Sequence, residues 1–154
     1  MVHPDLKHEL QGLFDEASEN FGMLELRLRA ENLLAVVQRL KGEFRFELFL
    51  DVTAIDHVER SPRFEVVYHF YSRPLNSRIR LKIAAPENEP AVPTLTTLYG
   101  SARHMEREVH DMYGIVFTGN TDLRPILLYE GFVGHPLRKD YPMEAEQPIV
   151  NYRQ

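Results

Sequence analysis

Three segments decide the fold. They are Phe44-Arg45-Phe46-Glu47-Leu48-Phe49-Leu50-Asp51-Val52-Thr53, Phe64-Glu65-Val66-Val67-Tyr68-His69-Phe70-Tyr71 and Arg78-Ile79-Arg80-Leu81-Lys82-Ile83. In the first, Phe44, Phe46, Leu48, Leu50 and Val52 fall on alternate positions. Phe64, Val66, Tyr68 and Phe70 do so in the second, and Ile79, Leu81 and Ile83 in the third. A period of two places one face of a strand in a core and the other toward solvent. Glu59-Arg60-Ser61-Pro62 and residues 72–77, with Pro74 and Asn76, are turn sequences. Such short links predict an antiparallel meander.

Upstream, Leu6, Leu10, Leu13, Phe14 and Ala17 have helical spacing, and Pro4 suits a first turn, so residues 4–17 predict an amphipathic helix. Leu24, Leu26 and Leu28 alternate with Glu25, Arg27 and Arg29, predicting a strand over 23–29. Leu33, Val36, Val37 and Leu40 return to helical spacing, with Gly42 as a C-cap. Downstream, a proline-bearing linker over 85–93 leads to a turn near 95–98 and a helix over 101–113. Ala102, Met105, Val109 and Met112 form that helix's apolar stripe; Ser101 is placed to cap it and Gly114 to end it. Helices on one face of an antiparallel meander make an α+β fold. Residues 1–118 form the compact domain. Residues 119–154, with no room for a long helix, form an extended C-terminal arm suited to packing on another subunit.

Composition narrows the function classes. The 154 residues, 44% hydrophobic and 27% charged, suffice for one core. The absence of cysteine excludes disulfides, a thiolate nucleophile and cysteine-ligated zinc or Fe–S centres from this chain. With 23 acidic and 18 basic side chains, it lacks the basic surface of a general polyanion binder. No apolar run approaches the roughly 20 residues that span a bilayer. The opening Met1-Val2-His3-Pro4-Asp5 does not read as a secretory signal. Dinucleotide, P-loop and nucleophile-elbow motifs are missing.

Two polar constellations remain. In His104-Met105-Glu106-Arg107-Glu108-Val109-His110-Asp111, the residues His104, Glu108, His110 and Asp111 suggest a metal-dependent hydrolase, although the spacing lacks the H-E-x-x-H pattern. The plainer reading is a solvated or partner-facing helix face with Arg107–Asp111 and Arg103–Glu106 ion pairs. In Gly131-Phe132-Val133-Gly134-His135-Pro136-Leu137-Arg138-Lys139-Asp140-Tyr141-Pro142, two glycines and two prolines dictate a particular backbone path. A general-base histidine or anion loop competes here with an extended segment whose charges another surface must meet.

Taken with Asp122-Leu123-Arg124-Pro125-Ile126-Leu127-Leu128, and running on through Met112-Tyr113-Gly114-Ile115, these blocks closely resemble one family in order and spacing. It is the thirty-kilodalton subunit, or C subunit, of proton-pumping NADH:quinone oxidoreductase, respiratory complex I. The likeness reaches back through Arg63-Phe64-Glu65-Val66-Val67-Tyr68-His69-Phe70 and covers roughly residues 44–142. His104 stands where the family usually has tryptophan, and Asn120-Thr121 where it has His-Pro.

The resemblance implies a non-catalytic structural subunit of the hydrophilic arm, with no catalytic, cofactor or metal residues of its own. FMN, Fe–S clusters and quinone would sit in partner subunits. The C-terminal arm would dock on the larger, forty-nine-kilodalton-type subunit that helps form the quinone cavity. The chain would reach the cytoplasmic face of the inner membrane only through the complex. The implied partner-binding residues are Glu106, Arg107, Glu108 and Asp111 on the helix, with Gly131, Gly134, His135, Pro136, Arg138, Lys139 and Asp140 on the arm. Coenzyme F420-type dehydrogenases and membrane-bound hydrogenase complexes carry similar subunits and offer the alternative setting.

Overall fold

The computed structural model describes residues 4–144 and 147. Its elements are α1 (Pro4–Glu9), β1 (Glu16–Asn20), β2 (Met23–Leu28), α2 (Leu33–Gly42), β3 (Leu48–Asp56), β4 (Phe64–Ser72), β5 (Ser77–Ala85), β6 (Ala91–Pro93), α3 (Ala102–Tyr113) and β7 (Val116–Thr118). Five strands form one sheet in the order β1-β2-β5-β4-β3. As the alternation predicts, β3, β4 and β5 run as an antiparallel meander, Val66 facing Ile83 and Tyr68 facing Leu81. The β2–β5 pairing is parallel, with Leu26 opposite Leu81. The fold is therefore α+β with a mostly antiparallel sheet.

One face of the sheet is the core. Leu26, Leu28, Val66, Tyr68, Phe70, Ile79, Leu81 and Ile83 pack there with Leu33, Val36, Val37 and Leu40 of α2 and with Ala102 and Val109 of α3. The opposite face carries ion pairs. Lys82 lies 2.8 Å from Glu25 and 3.5 Å from Glu65, and Arg80 lies 3.2 Å from Glu25.

Several local expectations are corrected. The first helix stops at Glu9, and Gly12 turns the chain at φ +86°. Residues 16–20 become β1, paired with β2 through a turn in which Phe21 and Gly22 both have positive φ. Leu6 and Leu10 keep their buried places, so the helical periodicity holds over its first turns and fails beyond them. Gly42 lies inside α2; the cap is Glu43, whose N–H donates to the Arg39 carbonyl.

The parity of β3 also differs, because a bulge lies between Phe49 and Asp51. It turns Phe49 into the core and leaves Leu48 and Leu50 exposed, while Phe46, before the strand, remains buried. The stretch read as a linker contains β6, which pairs in parallel with β7.

Candidate functional site

Helix α3 carries the first motif, and the second wraps its C-terminal end. The helix ends as its sequence requires: Gly114 adopts φ +75°, its N–H donating to the His110 carbonyl. Ser101 occupies the N-cap position without a side-chain cap bond.

Glu106 is fully buried, between helix and loops. It accepts hydrogen bonds from Thr94 Oγ1 (2.6 Å), the Leu95 N–H (2.7 Å) and Asn120 Nδ2 (2.9 Å). Burial raises its pKa above the ordinary carboxylate value, against the pull of those donors. Asn120 thus belongs to this joint.

Arg107 and Asp111 face the arm. Arg107 donates to the carbonyls of Arg124 (2.8 Å) and Pro125 (2.7 Å). Asp111 Oδ2 accepts the N–H groups of Ile126, Leu127 and Leu128 at 2.8, 2.9 and 3.3 Å. Just before them, Asp122 pairs with Arg124 (2.7 Å) and Arg103 (3.1 Å), which hold its carboxyl well below the usual range. The expected Arg107–Asp111 and Arg103–Glu106 pairs are therefore replaced. One turn of helix brings each pair within reach, but Arg107 and Asp111 are met by backbone groups of the arm, Arg103 by the Asp122 carboxylate, and Glu106 by Thr94, Asn120 and the Leu95 N–H.

The last carbonyls of a helix have no partner within it. Here the arm supplies three. His135 Nδ1 donates to the Asp111 carbonyl (2.9 Å), the Leu137 N–H to that of Met112 (3.1 Å) and Arg138 Nε to that of Tyr113 (2.6 Å). A guanidinium at this end also suits the helix dipole. The approach depends on Gly114, where an added Cβ would lie 2.5 Å from His135 Nε2 and 2.6 Å from an Arg138 nitrogen. Gly134 has φ +97°, and its Cβ would meet the Tyr141 ring at 2.7 Å; Gly131, at φ +89°, faces open space. Pro136 is half-buried within the segment. Between helix and arm lies a small cavity of about 150 Å³, lined in part by His110, Asp111, Tyr129, Phe132 and His135.

The two remaining arm residues reach the sheet. The Lys139 N–H donates to Asp56 Oδ2 (2.7 Å), and Asp140 accepts from Arg63 (2.9 Å). Asp56 and Arg63 are buried and doubly hydrogen-bonded to each other at 2.8 Å. Sequence reading missed their role, along with those of Thr94, Asn120 and Asp122. The one available signal was Arg63 and Asp56 flanking the turn at 59–62.

Glu108 and His104 are exposed, and His110 donates to the Ile115 carbonyl (3.0 Å). The four residues of the metal-dependent reading do not gather into a ligand set. Among the described residues no group of three or more His, Cys, Asp or Glu is placed to hold a metal ion.

Comparison with known proteins bears directly on this clasp. Residues 26–147 match the family model described as the respiratory-chain NADH dehydrogenase, 30 Kd subunit. The chain belongs to that family. A curated relative, the NADH-quinone oxidoreductase C subunit of Sinorhizobium medicae, is 47% identical over 138 residues, covering 88% of this chain and 68% of the relative. The corresponding C subunit of Roseiflexus castenholzii is 40% identical over 158 residues, covering 99% and 91%.

Among solved structures, a trypsin-resistant fragment of Nqo5 superposes with a TM-score of 0.65 at 35% identity, covering 70% of this chain and 89% of the fragment. A chain of the membrane-bound sulfane sulfur reductase, an archaeal respiratory membrane complex, superposes with a TM-score of 0.78 at 26% identity, covering 91% and 83%. The family match runs from within β2 through β3, β4, β5 and α3 to residue 147, so the contacts between α3 and residues 122–140 lie inside it.

Proposed function

We propose that the chain is the C-type subunit of a proton-pumping NADH:quinone oxidoreductase and that it contributes assembly rather than chemistry. In this reading it is a structural member of the hydrophilic arm, and residues 119–154 dock on the large quinone-cavity subunit. Electrons from NADH pass through FMN and Fe–S clusters to quinone in partner subunits, and the chain reaches the cytoplasmic face of the inner membrane through them. No helix among the described residues is long and apolar enough to cross a membrane.

The observation that carries the reading is the character of the arm. Among its described residues, Asp122, Arg138, Asp140 and the N–H groups of residues 126–128, 137 and 139 are engaged with its own domain, while Ile126, Leu127, Val133, Leu137 and Met143 remain exposed. A row of exposed large apolar side chains on a fastened strap supports a protein-binding surface. The helix and arm motifs then act on the interface together, by fixing the strap and by shaping its path.

Affinity capture of the tagged chain from gently solubilised membranes tests this, with the co-purifying proteins identified by mass spectrometry. The expected result is the large quinone-cavity subunit together with flavin and Fe–S proteins. Arg138→Glu and Gly134→Val should reduce that recovery while the domain stays folded. Glutamate at Arg138 removes the donor to the Tyr113 carbonyl and sets an anion at the negative end of α3, and valine at Gly134 adds a strained φ to a clash with Tyr141. Undiminished recovery with both variants overturns the reading.

The likeness to the sulfane sulfur reductase chain favours one alternative setting: the equivalent subunit of a related respiratory complex, such as an F420-type dehydrogenase or membrane-bound hydrogenase, with another electron donor. The same capture separates them, since an NADH-binding flavoprotein is recovered only in the first case.

A further inference from the structure

We propose that Asp56, Arg63 and Phe64 form a receptor for the chain's own Arg138-Lys139-Asp140 segment, setting the direction in which the arm leaves the domain before any partner is met. This deepens the assembly reading and rests on it for what the arm finally binds. The receptor is built at one end of the β3–β4 pair. Arg63 is 3% exposed and reaches three carboxylates: Asp56, Glu87 at 2.7 Å and Asp140 at 2.9 Å. Asp56, whose side chain is fully buried, uses one oxygen for Arg63 and the other for both Arg63 and the Lys139 N–H. The guanidinium carbons of Arg63 and Arg138 each lie 5.1 Å from the centre of the buried Phe64 ring.

An exposed ion pair contributes little to stability or orientation. This one differs because its receiving half is desolvated. A buried carboxylate and guanidinium must have their hydrogen-bonding capacity met; the arm contributes to it through Lys139 and Asp140, with Arg138 stacked beside them on Phe64. Arg138 supplies the stacked cation and the helix cap, Lys139 a backbone donor, and Asp140 a second counter-charge. Three consecutive anchors fix both position and direction, which a single contact cannot.

A division of labour follows. The charges of Arg138 and Asp140 are consumed inside the chain, so they are positioning residues. The partner meets their exposed neighbours Val133 and Leu137.

Amide hydrogen exchange of the full chain reads the latch through Lys139, whose N–H is held by the Asp56 carboxylate. In the wild type this amide should exchange about tenfold or more slowly than in an unstructured chain. Asp140→Lys, at an exposed side chain, places a cation against Arg63. It should return the amide toward the unstructured rate, leave β4 and β5 amides unchanged and lower recovery of the large subunit severalfold. Val133→Ser should lower recovery with Lys139 still protected.

An unprotected Lys139 in the wild type overturns the proposal, as does unchanged protection in Asp140→Lys. Lost protection with full recovery removes the positioning role. A wild-type chain that shows the protection but recovers no large subunit refutes the assembly reading and leaves the latch standing.

Discussion

Glu106 and Asp111, about one and a half turns apart on α3, show how one motif serves two environments. Both were legible as special residues, because a dense polar run on an otherwise amphipathic helix is unusual; their partners were not. Helical spacing names the side chains one turn away, whereas Glu106 is satisfied by Thr94, Leu95 and Asn120 and Asp111 by three backbone N–H groups of the arm. Backbone donors carry no residue type, so sequence cannot announce them.

The environment of Glu106 has a pH consequence. Its folded pKa is raised by burial, so its contribution to stability is complete below its ordinary value of 4.5 and is lost as pH rises through the folded value. Glu106→Gln removes that titration while keeping the side chain's size. The stability deficit of the variant, from urea midpoints against wild type, should therefore be smallest near pH 7 and grow as pH falls toward 5. A deficit independent of pH would show that Glu106 ionises as it does in the unfolded chain.

Among the elements, those whose pattern is enforced by the core on one side were the readable ones: β4, β5, β2, α2 and α3. β1 was not, because it carries one half-buried residue between exposed ones and owes its existence to pairing with β2. The three-residue strands β6 and β7 exist only because they pair with each other. For β3 the alternation predicts the wrong inward face at Leu48 and Leu50 and the right one at Val52. Its pattern Leu48, Leu50, Val52 is real, but a bulge adds one residue and reverses the face on its near side.

That reversal gives opposite expectations for neighbouring residues. Phe49 is 6% exposed and stacks 5.1 Å from Phe70, with Tyr99 at 5.5 Å. Phe49→Ala should therefore cost about 3–5 kcal/mol, whereas Leu50→Lys, at a side chain 39% exposed on the outer face, should cost less than about 1 kcal/mol. Urea denaturation of the two variants decides it. Strict alternation through Leu50 would give the reverse order.

At the scale of the whole molecule, the chain combines two kinds of cohesion. The sheet, α2 and α3 are joined by a continuous apolar core, whereas the described residues beyond Thr118 contain no helix or strand and are held chiefly through hydrogen bonds and ion pairs to α3 and the β3–β4 end. The composition made the lack of a long helix beyond Thr118 legible. It did not reveal that the arm returns to its own domain, because those contacts join residues as distant as Asp56 and Lys139.

Two kinds of cohesion imply two opening units. Arm amides exchange through local release, while β4 and β5 amides wait for global unfolding. Asp111 is the clearest place to separate them, since one buried carboxylate oxygen holds Ile126, Leu127 and Leu128. Asp111→Ala leaves those N–H groups to water and should lower the opening free energy of the arm by about 1–3 kcal/mol. Native-state hydrogen exchange should then show faster exchange at 126–128 and unchanged protection in β4 and β5. Equal losses in both regions would mean that arm and sheet open as one unit, and that the arm is part of the domain's fold rather than a strap fastened to it.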